Sequence, residues 1–155
     1  MKLNYKIKFL SKKYNYPIWM IERYFEILGE ETTNFLEACE KPLLKSIRIN
    51  TIKTDKNQLI KKLESKDFKL KEIDWINNGY WIIESPYSIG AAEEYLEGAY
   101  FIQTSASMLP PIVLNPQVND IVLDMCAAPG GKTSHLAQIM NNKGIIISIE
   151  INSNR

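Results

Sequence analysis

Apolar residues three and four positions apart mark the first legible element. Ile18, Ile21, Tyr24, Phe25 and Leu28 fall on one helical face, begun by Pro17 and ended by Gly29. Proline at a helix start and glycine past its end follow the usual asymmetry. Residues 31–39 read as a second short helix, closed by Pro42. The period then shortens to two around Ile47 and Ile49, and residues 45–51 read as a strand. Thr54 or Asp55 can cap a helix from Lys56 to about Lys66, with Leu59, Ile60 and Leu63 inward. Residues 68–73 and 80–84 read as strands joined by a turn at Asn77-Asn78-Gly79. Together these predict a small α+β unit with its own core.

Residues 105–114 read as partly helical, interrupted by Pro110 and Pro111, with a turn at Asn115-Pro116. The pattern then changes. Residues 121–125 form a compact apolar strand and residues 126–131 a loop of small residues. Residues 132–142 form a helix carrying Leu136, Ala137, Ile139 and Met140, and residues 145–149 a second apolar strand. That order is one βαβ unit. Its nearly continuous apolar strands fit a parallel sheet, and its crossover should be right-handed. The expected division is 1–101 for the α+β domain and 102–155 for the start of an α/β, Rossmann-like domain.

Composition adds bounds. The 155 residues are 45% hydrophobic and 24% charged, ordinary values for a globular chain. No apolar run approaches the roughly 18 residues that cross a bilayer. The lysine-rich segment before Tyr14 lacks the apolar core and cleavage site of a secretory signal. Two cysteines make no disulfide framework, so the expected location is cytoplasmic, without a membrane or metal partner. Cys39 reads as helix core and Cys126 as a small buried thiol.

The net charge of +1 is uninformative, but its distribution is not. Residues 45–71 hold nine basic and three acidic residues, a balance of +6; residues 72–101 hold six acids and no Lys or Arg. Such a basic block suits phosphate contacts, with Arg48, Lys61 and Lys62 the candidate RNA-binding residues. A solvated, lysine-rich helix face explains it equally well.

The chemistry-bearing segment is Asp124-Met125-Cys126-Ala127-Ala128-Pro129-Gly130-Gly131-Lys132-Thr133. A glycine turn between strand and helix brings backbone N–H groups close to a ligand, and the helix N-terminus favours an anionic group. The phosphate-binding P-loop fits Gly131-Lys132-Thr133, but its first glycine would fall at Cys126. The dinucleotide fingerprint is absent. A nucleoside cofactor with a small zwitterionic tail, such as S-adenosylmethionine, remains. Glu150 follows the second strand, 20 residues after Gly130, where a carboxylate can accept hydrogen bonds from ribose hydroxyls. NAD would use the same acid, so Glu150 alone does not discriminate.

This string resembles the cofactor motif of the Nop/Sun family of RNA cytosine-5 methyltransferases. Pro17 with Trp19, the strand Arg48-Ile49-Asn50-Thr51, and the lead-in from Tyr100 to Ser107 with Pro110 resemble further family segments. Glu150 and Arg155 resemble its ribose-binding acid and following arginine. The likeness runs from Pro17 onward and is greatest to the archaeal tRNA methyltransferases. It implies an S-adenosylmethionine site formed by Cys126, Ala127, Ala128, Pro129, Gly130, Gly131, Lys132, Glu150 and Arg155, and RNA, foremost tRNA, as partner. It also implies two catalytic cysteines downstream: one adds to cytosine C6 so that C5 can take the methyl group, and one assists product release. By that comparison this chain carries no catalytic residue and is inactive alone. Cys126 flanks the cofactor rather than the base, and His135 is a surface or packing residue. Trp19 and Tyr24 read as helix packing, Trp81 as core, and Trp75 as either core or a stacking platform. The alternatives are a non-catalytic RNA-binding module and an enzyme acting on rRNA. A nucleotide hydrolase is disfavoured by the missing P-loop glycine.

Overall fold

The computed structural model describes residues 2–152, and Arg155 lies outside the described residues. Contacts divide the chain into two compact units, Met1–Leu43 and Leu44–Arg155. The expected division at 101/102 falls inside the second.

The first unit is helical. Helix α1 (Lys2–Tyr14) has no counterpart among the expected elements, although Ile7, Leu10 and Tyr14 have helical spacing. Ile7 and Leu10 bury against Ile21 of α2 (Ile18–Leu28) and Leu36 of α3 (Thr32–Cys39). Gly29 ends α2 at φ +56°, its N–H donating to the Phe25 carbonyl. Two expectations fail here. Trp19 is 66% exposed, because the inward face of α2 runs through Ile21 and Tyr24. Cys39 is also exposed, because the buried stripe of α3 is Thr32 and Leu36 and the helix ends at that cysteine.

The second unit begins with a four-stranded antiparallel sheet in the order β2-β3-β1-β4, formed by β1 (Ser46–Ile49), β2 (Lys69–Glu72), β3 (Gly79–Glu84) and β4 (Tyr100–Ile102). Strand β1 is central, and all four of its residues are buried. Ile47 and Ile49 join Leu59 and Leu63 of α4 (Lys56–Glu64), with Phe68, Tyr80, Ile82 and Tyr100. Each such side chain contributes about 1.5–3 kcal/mol on burial. Asp55 caps α4, its Oδ1 accepting from the Gln58 N–H at 3.0 Å.

Helix α5 (Glu93–Leu96) brings the acidic stretch onto the basic block. Glu94, 1% exposed, meets Lys66 at 2.5 Å and Lys62 at 3.0 Å. Burial pushes its carboxyl up, but the two ammonium groups outweigh this and hold it down to about 2. Lys56 pairs with Glu72 and Lys69 with Glu84, while Lys53 donates to the Glu97 carbonyl. The +6 block is thus largely neutralised within the fold. Arg48, expected to reach RNA, is 2% exposed, because β1 is covered on both faces. Among the described residues, the side chains of Lys45, Lys61 and Lys71 of the block are exposed and have neither an ion pair nor a hydrogen bond.

Helix α6 (Ser105–Leu114) runs unbroken through Pro110 and Pro111, contrary to the expected interruption. Pro111 cannot donate to the Ser107 carbonyl, but Gln103 Nε2 does so at 2.9 Å. Asn115 closes the helix in the left-handed conformation. The expected βαβ unit follows: β5 (Ile121–Asp124), α7 (Gly131–Ile139) and β6 (Ile145–Ser148), the strands paired in parallel.

Replacing Lys62 and Lys66 together with glutamine leaves Glu94 buried without a cation. The double variant should unfold at a lower urea concentration, whereas Lys61→Gln should leave the midpoint nearly unchanged.

Candidate functional site

The site grows from the end of β5. One face of the β5–β6 pair is covered by α7 through Val122, Leu136, Met140 and Ile146. On the other, Ile121, Leu123, Ile145 and Ile147 are about half exposed or more. Asp124, the last residue of β5, is 8% exposed and grips the turn at both ends. Its Oδ1 accepts from the Cys126 N–H at 3.1 Å, and its Oδ2 from the Thr133 hydroxyl at 2.6 Å. Inside the turn, the Ala127 N–H donates to the Ile149 carbonyl and the Gly130 N–H to the Ala127 carbonyl. The Ala128–Pro129 peptide is cis.

The two glycines answer different constraints. Gly130 has φ +97°, where L side chains are strained, yet a Cβ there would meet nothing within 4 Å. A Cβ on Gly131 would come within 3.1 Å of the Phe101 ring and 3.3 Å of Gln103 Cδ. Gly130 is thus required by backbone conformation and Gly131 by close approach of β4 to α7.

Glu150 comes back to the turn from the end of β6. Its Oε2 accepts from the Ala128 N–H at 3.2 Å and its Oε1 from the Asn152 N–H at 2.9 Å. The turn borders a cavity of about 200 Å³, lined by Phe101, Gln103, Thr104 and Ser107 and by Cys126 to Pro129, Gly131 and Lys132. The predicted residues from Cys126 to Lys132 and Glu150 are therefore brought together, while Lys61 and Lys62 lie elsewhere, on α4. Cys126 is exposed rather than buried, because the turn leaves the sheet at that residue.

Arg48 ties the central strand to the turn. Its Nη1 donates to Gln138 Oε1 at 2.6 Å, its Nη2 to Ser134 Oγ at 2.7 Å and the Gly131 carbonyl at 3.3 Å, and its Nε to Gln103 Oε1 at 3.4 Å. Burial pushes the guanidinium down to about 10, so it stays charged, and no carboxylate pairs with it among the described residues. Gln138 completes the link, its Nε2 donating to the Ile49 carbonyl and Thr51 Oγ1. Sequence reasoning assigned no role to Asp124, Thr133, Ser134, Gln103 or Gln138. The signal was available only for Asp124, an acid closing an apolar strand.

A strand, glycine turn, helix and parallel strand, with a carboxylate returning from the second strand, form the opening βαβ unit of an α/β, Rossmann-like domain. The description "N-terminal domain of 16S rRNA methyltransferase RsmF" matches residues 17–105, and "16S rRNA methyltransferase RsmB/F" matches residues 111–155. The chain belongs to this family, the Nop/Sun RNA cytosine-C5 methyltransferases. It is 39% identical over 150 residues to the 28S rRNA (cytosine-C(5))-methyltransferase of Mus musculus, covering 96% of this chain and 19% of the relative. It is 39% identical over 126 residues to the ribosomal RNA small subunit methyltransferase F of Vibrio campbellii, covering 79% and 26%. The chain thus spans about a fifth to a quarter of these relatives. A crystal structure of a methyltransferase homolog protein from Pyrococcus horikoshii superposes with a TM-score of 0.88 at 39% identity, covering 96% of this chain and 49% of that one. NSun6 from the same organism, solved with SFG, shares the fold at 20% identity, with a TM-score of 0.82, over 90% of this chain and 60% of that one.

His135 on α7 supplies a pH prediction. It is 4% exposed, and burial, with Arg48 nearby, pushes it from 6.5 down to about 4. The unfolded chain takes up this proton first, so stability is lost as pH falls from 6.5 toward 4. Glu94 adds a separate loss as pH falls from 4.5 toward 2. Thermal melts should show both, and His135→Gln should flatten only the upper window.

Proposed function

We propose that this chain supplies the RNA-docking portion and the cofactor turn of an enzyme that methylates cytosine C5 in RNA, with S-adenosylmethionine as methyl donor. The observation that carries this reading is the turn from Cys126 to Lys132, with the Glu150 carboxylate hydrogen-bonded to the Ala128 amide beside a cavity. These residues fit the cofactor. Helix α7 has nine residues, and its first backbone N–H groups lack intrahelical partners, which suits a carboxylate tail. Glu150 suits ribose hydroxyls, and the positive φ of Gly130 leaves its outer side open. The bound cofactor supplies the methyl group. The chain's own residues bind and orient it: Asp124 fixes the turn through Cys126 and Thr133, and Arg48 fixes the start of α7 through Gly131 and Ser134. Arg155 completes the expected set but lies outside the described residues.

In this reading residues 1–101 recognise RNA and residues 102–155 open the catalytic domain. Lys61, exposed and without an ion pair among the described residues, remains a candidate phosphate contact. The curated relatives named above are ribosomal RNA methyltransferases, so rRNA stands beside tRNA as substrate class. Both cysteines are free thiols, in keeping with a reducing compartment such as the cytoplasm. Cys126 has no part in bond-making.

In an enzyme carrying this chain together with the rest of its sheet, transfer of labelled methyl groups to rRNA and to tRNA would separate the two substrates. Glu150→Ala should weaken S-adenosylmethionine binding by about 1–3 kcal/mol. Cys126→Ser should leave most of the activity. Loss of methylation in Cys126→Ser with cofactor affinity intact would overturn its assignment. Calorimetry on the 155-residue chain alone should show weak cofactor binding, because the outer face of β5–β6 is exposed.

A further inference from the structure

A second cavity, larger than the one at the glycine turn, lies elsewhere in the second unit. It has a volume of about 450 Å³, within the range of small-molecule sites, and lies beside α7 toward its C-terminal half. Ile112 of α6 and Ile139 of α7 supply an apolar wall. The turn between β2 and β3 supplies Asp74, Trp75 and Asn77.

Three features of this cavity lack a structural explanation. Trp75 lines it with 49% of its surface exposed, although a tryptophan serving the core would be covered. His135 also lines it, is 4% exposed, and its buried Nδ1 has no hydrogen-bond partner among the described residues. Such an orphaned polar atom is uncommon and marks a place where a ligand atom can complete the pairing. Asp74 and Asn77 are exposed and carry no side-chain hydrogen bond or ion pair among the described residues, so their acceptors and donors are available. Gln138 lines the cavity too, but its amide is spent on Arg48, Ile49 and Thr51.

A half-exposed indole, a neutral imidazole and free amide and carboxylate groups match one ligand chemistry: a flat heteroaromatic ring with donors and acceptors on its edge. Proteins read unpaired RNA bases in this way, stacking the ring on an aromatic side chain and bonding its edges. Lys71, one of the three unpaired lysines of the basic block, lies on β2 just before this turn and can neutralise the attached phosphate.

We infer that this cavity is a binding site for a single unpaired RNA base, which stacks on Trp75 and meets Asp74, Asn77 and His135 with its edge. The inference rests on the reading of the chain as an RNA-binding portion of a methyltransferase, and extends it to a second site at the opposite end of α7 from the cofactor turn. Duplex RNA cannot use the site, because its bases are stacked and paired.

The test uses the 155-residue chain, a fluorescently labelled single-stranded RNA of mixed sequence, and the same strand annealed to its complement. Trp75→Ala should weaken single-strand binding about five- to a hundredfold, the usual effect of losing one base–aromatic stack, and leave duplex binding unchanged. Trp75→Phe should retain most of the affinity, and Trp19→Ala should behave as wild type. Circular dichroism confirms that each variant is folded, which the exposure of Trp75 favours. The NMR signal of the Trp75 indole N–H should shift on addition of the single strand. Equal single-strand affinity in wild type and Trp75→Ala, with no shift, overturns the site and leaves the RNA reading standing. Wild-type chain that binds neither RNA overturns that reading and the site with it.

Discussion

A buried guanidinium sets the architecture of the second unit. Arg48 sits on a central strand with no carboxylate to neutralise it among the described residues, so its donors must find neutral acceptors or its burial would be prohibitive. Those acceptors come from the residue after β4 and from α7, its first residue included. The need to satisfy one cation thereby joins an antiparallel sheet to a parallel βαβ unit. The close approach that results is what excludes a side chain at Gly131. Arginine suits this place better than lysine, because its planar fork can serve several acceptors at fixed angles.

The parts legible in the sequence were those governed by local pattern. The βαβ unit declared itself through apolar strands around a small-residue turn, and α2 and α4 through spacing and caps. Side-chain partners distant in sequence were not legible. Arg48 looked like a surface cation because β1 alternates Ile47 and Ile49 with polar neighbours, the pattern of a strand with one wet face. The second face is in fact covered by α7 and Gln103, whose contact could not be inferred from a strand pattern. Pro110 and Pro111 misled for a similar reason. The carbonyl that a proline frees can be satisfied from outside the helix, and the donor, Gln103, is identifiable only in three dimensions.

Charge shows the same limit. A window of sequence with a balance of +6 suggests a polyanion partner, yet the compensating acids sit in the next thirty residues and fold back onto it. The surface field that a nucleic acid would meet is set by the lysines left over, a much smaller set than the sequence window implies. Trp75 was correspondingly undecided in the sequence: a residue at a turn between strands can serve packing or recognition, and its half-exposed place beside a cavity is visible only in three dimensions.

Asp124 carries a consequence for how a ligand arrives. A glycine-rich segment in isolation samples many backbone states, and fixing each residue costs about 1–2 kcal/mol of entropy. Here one carboxylate already anchors the segment at Cys126 and Thr133. The ordering has been completed during folding, so a ligand of the proposed site would meet amides already in place. For the proposed cofactor, capture would then need no conformational search, and the residence time would be governed by the contacts formed rather than by reclosure of a loop.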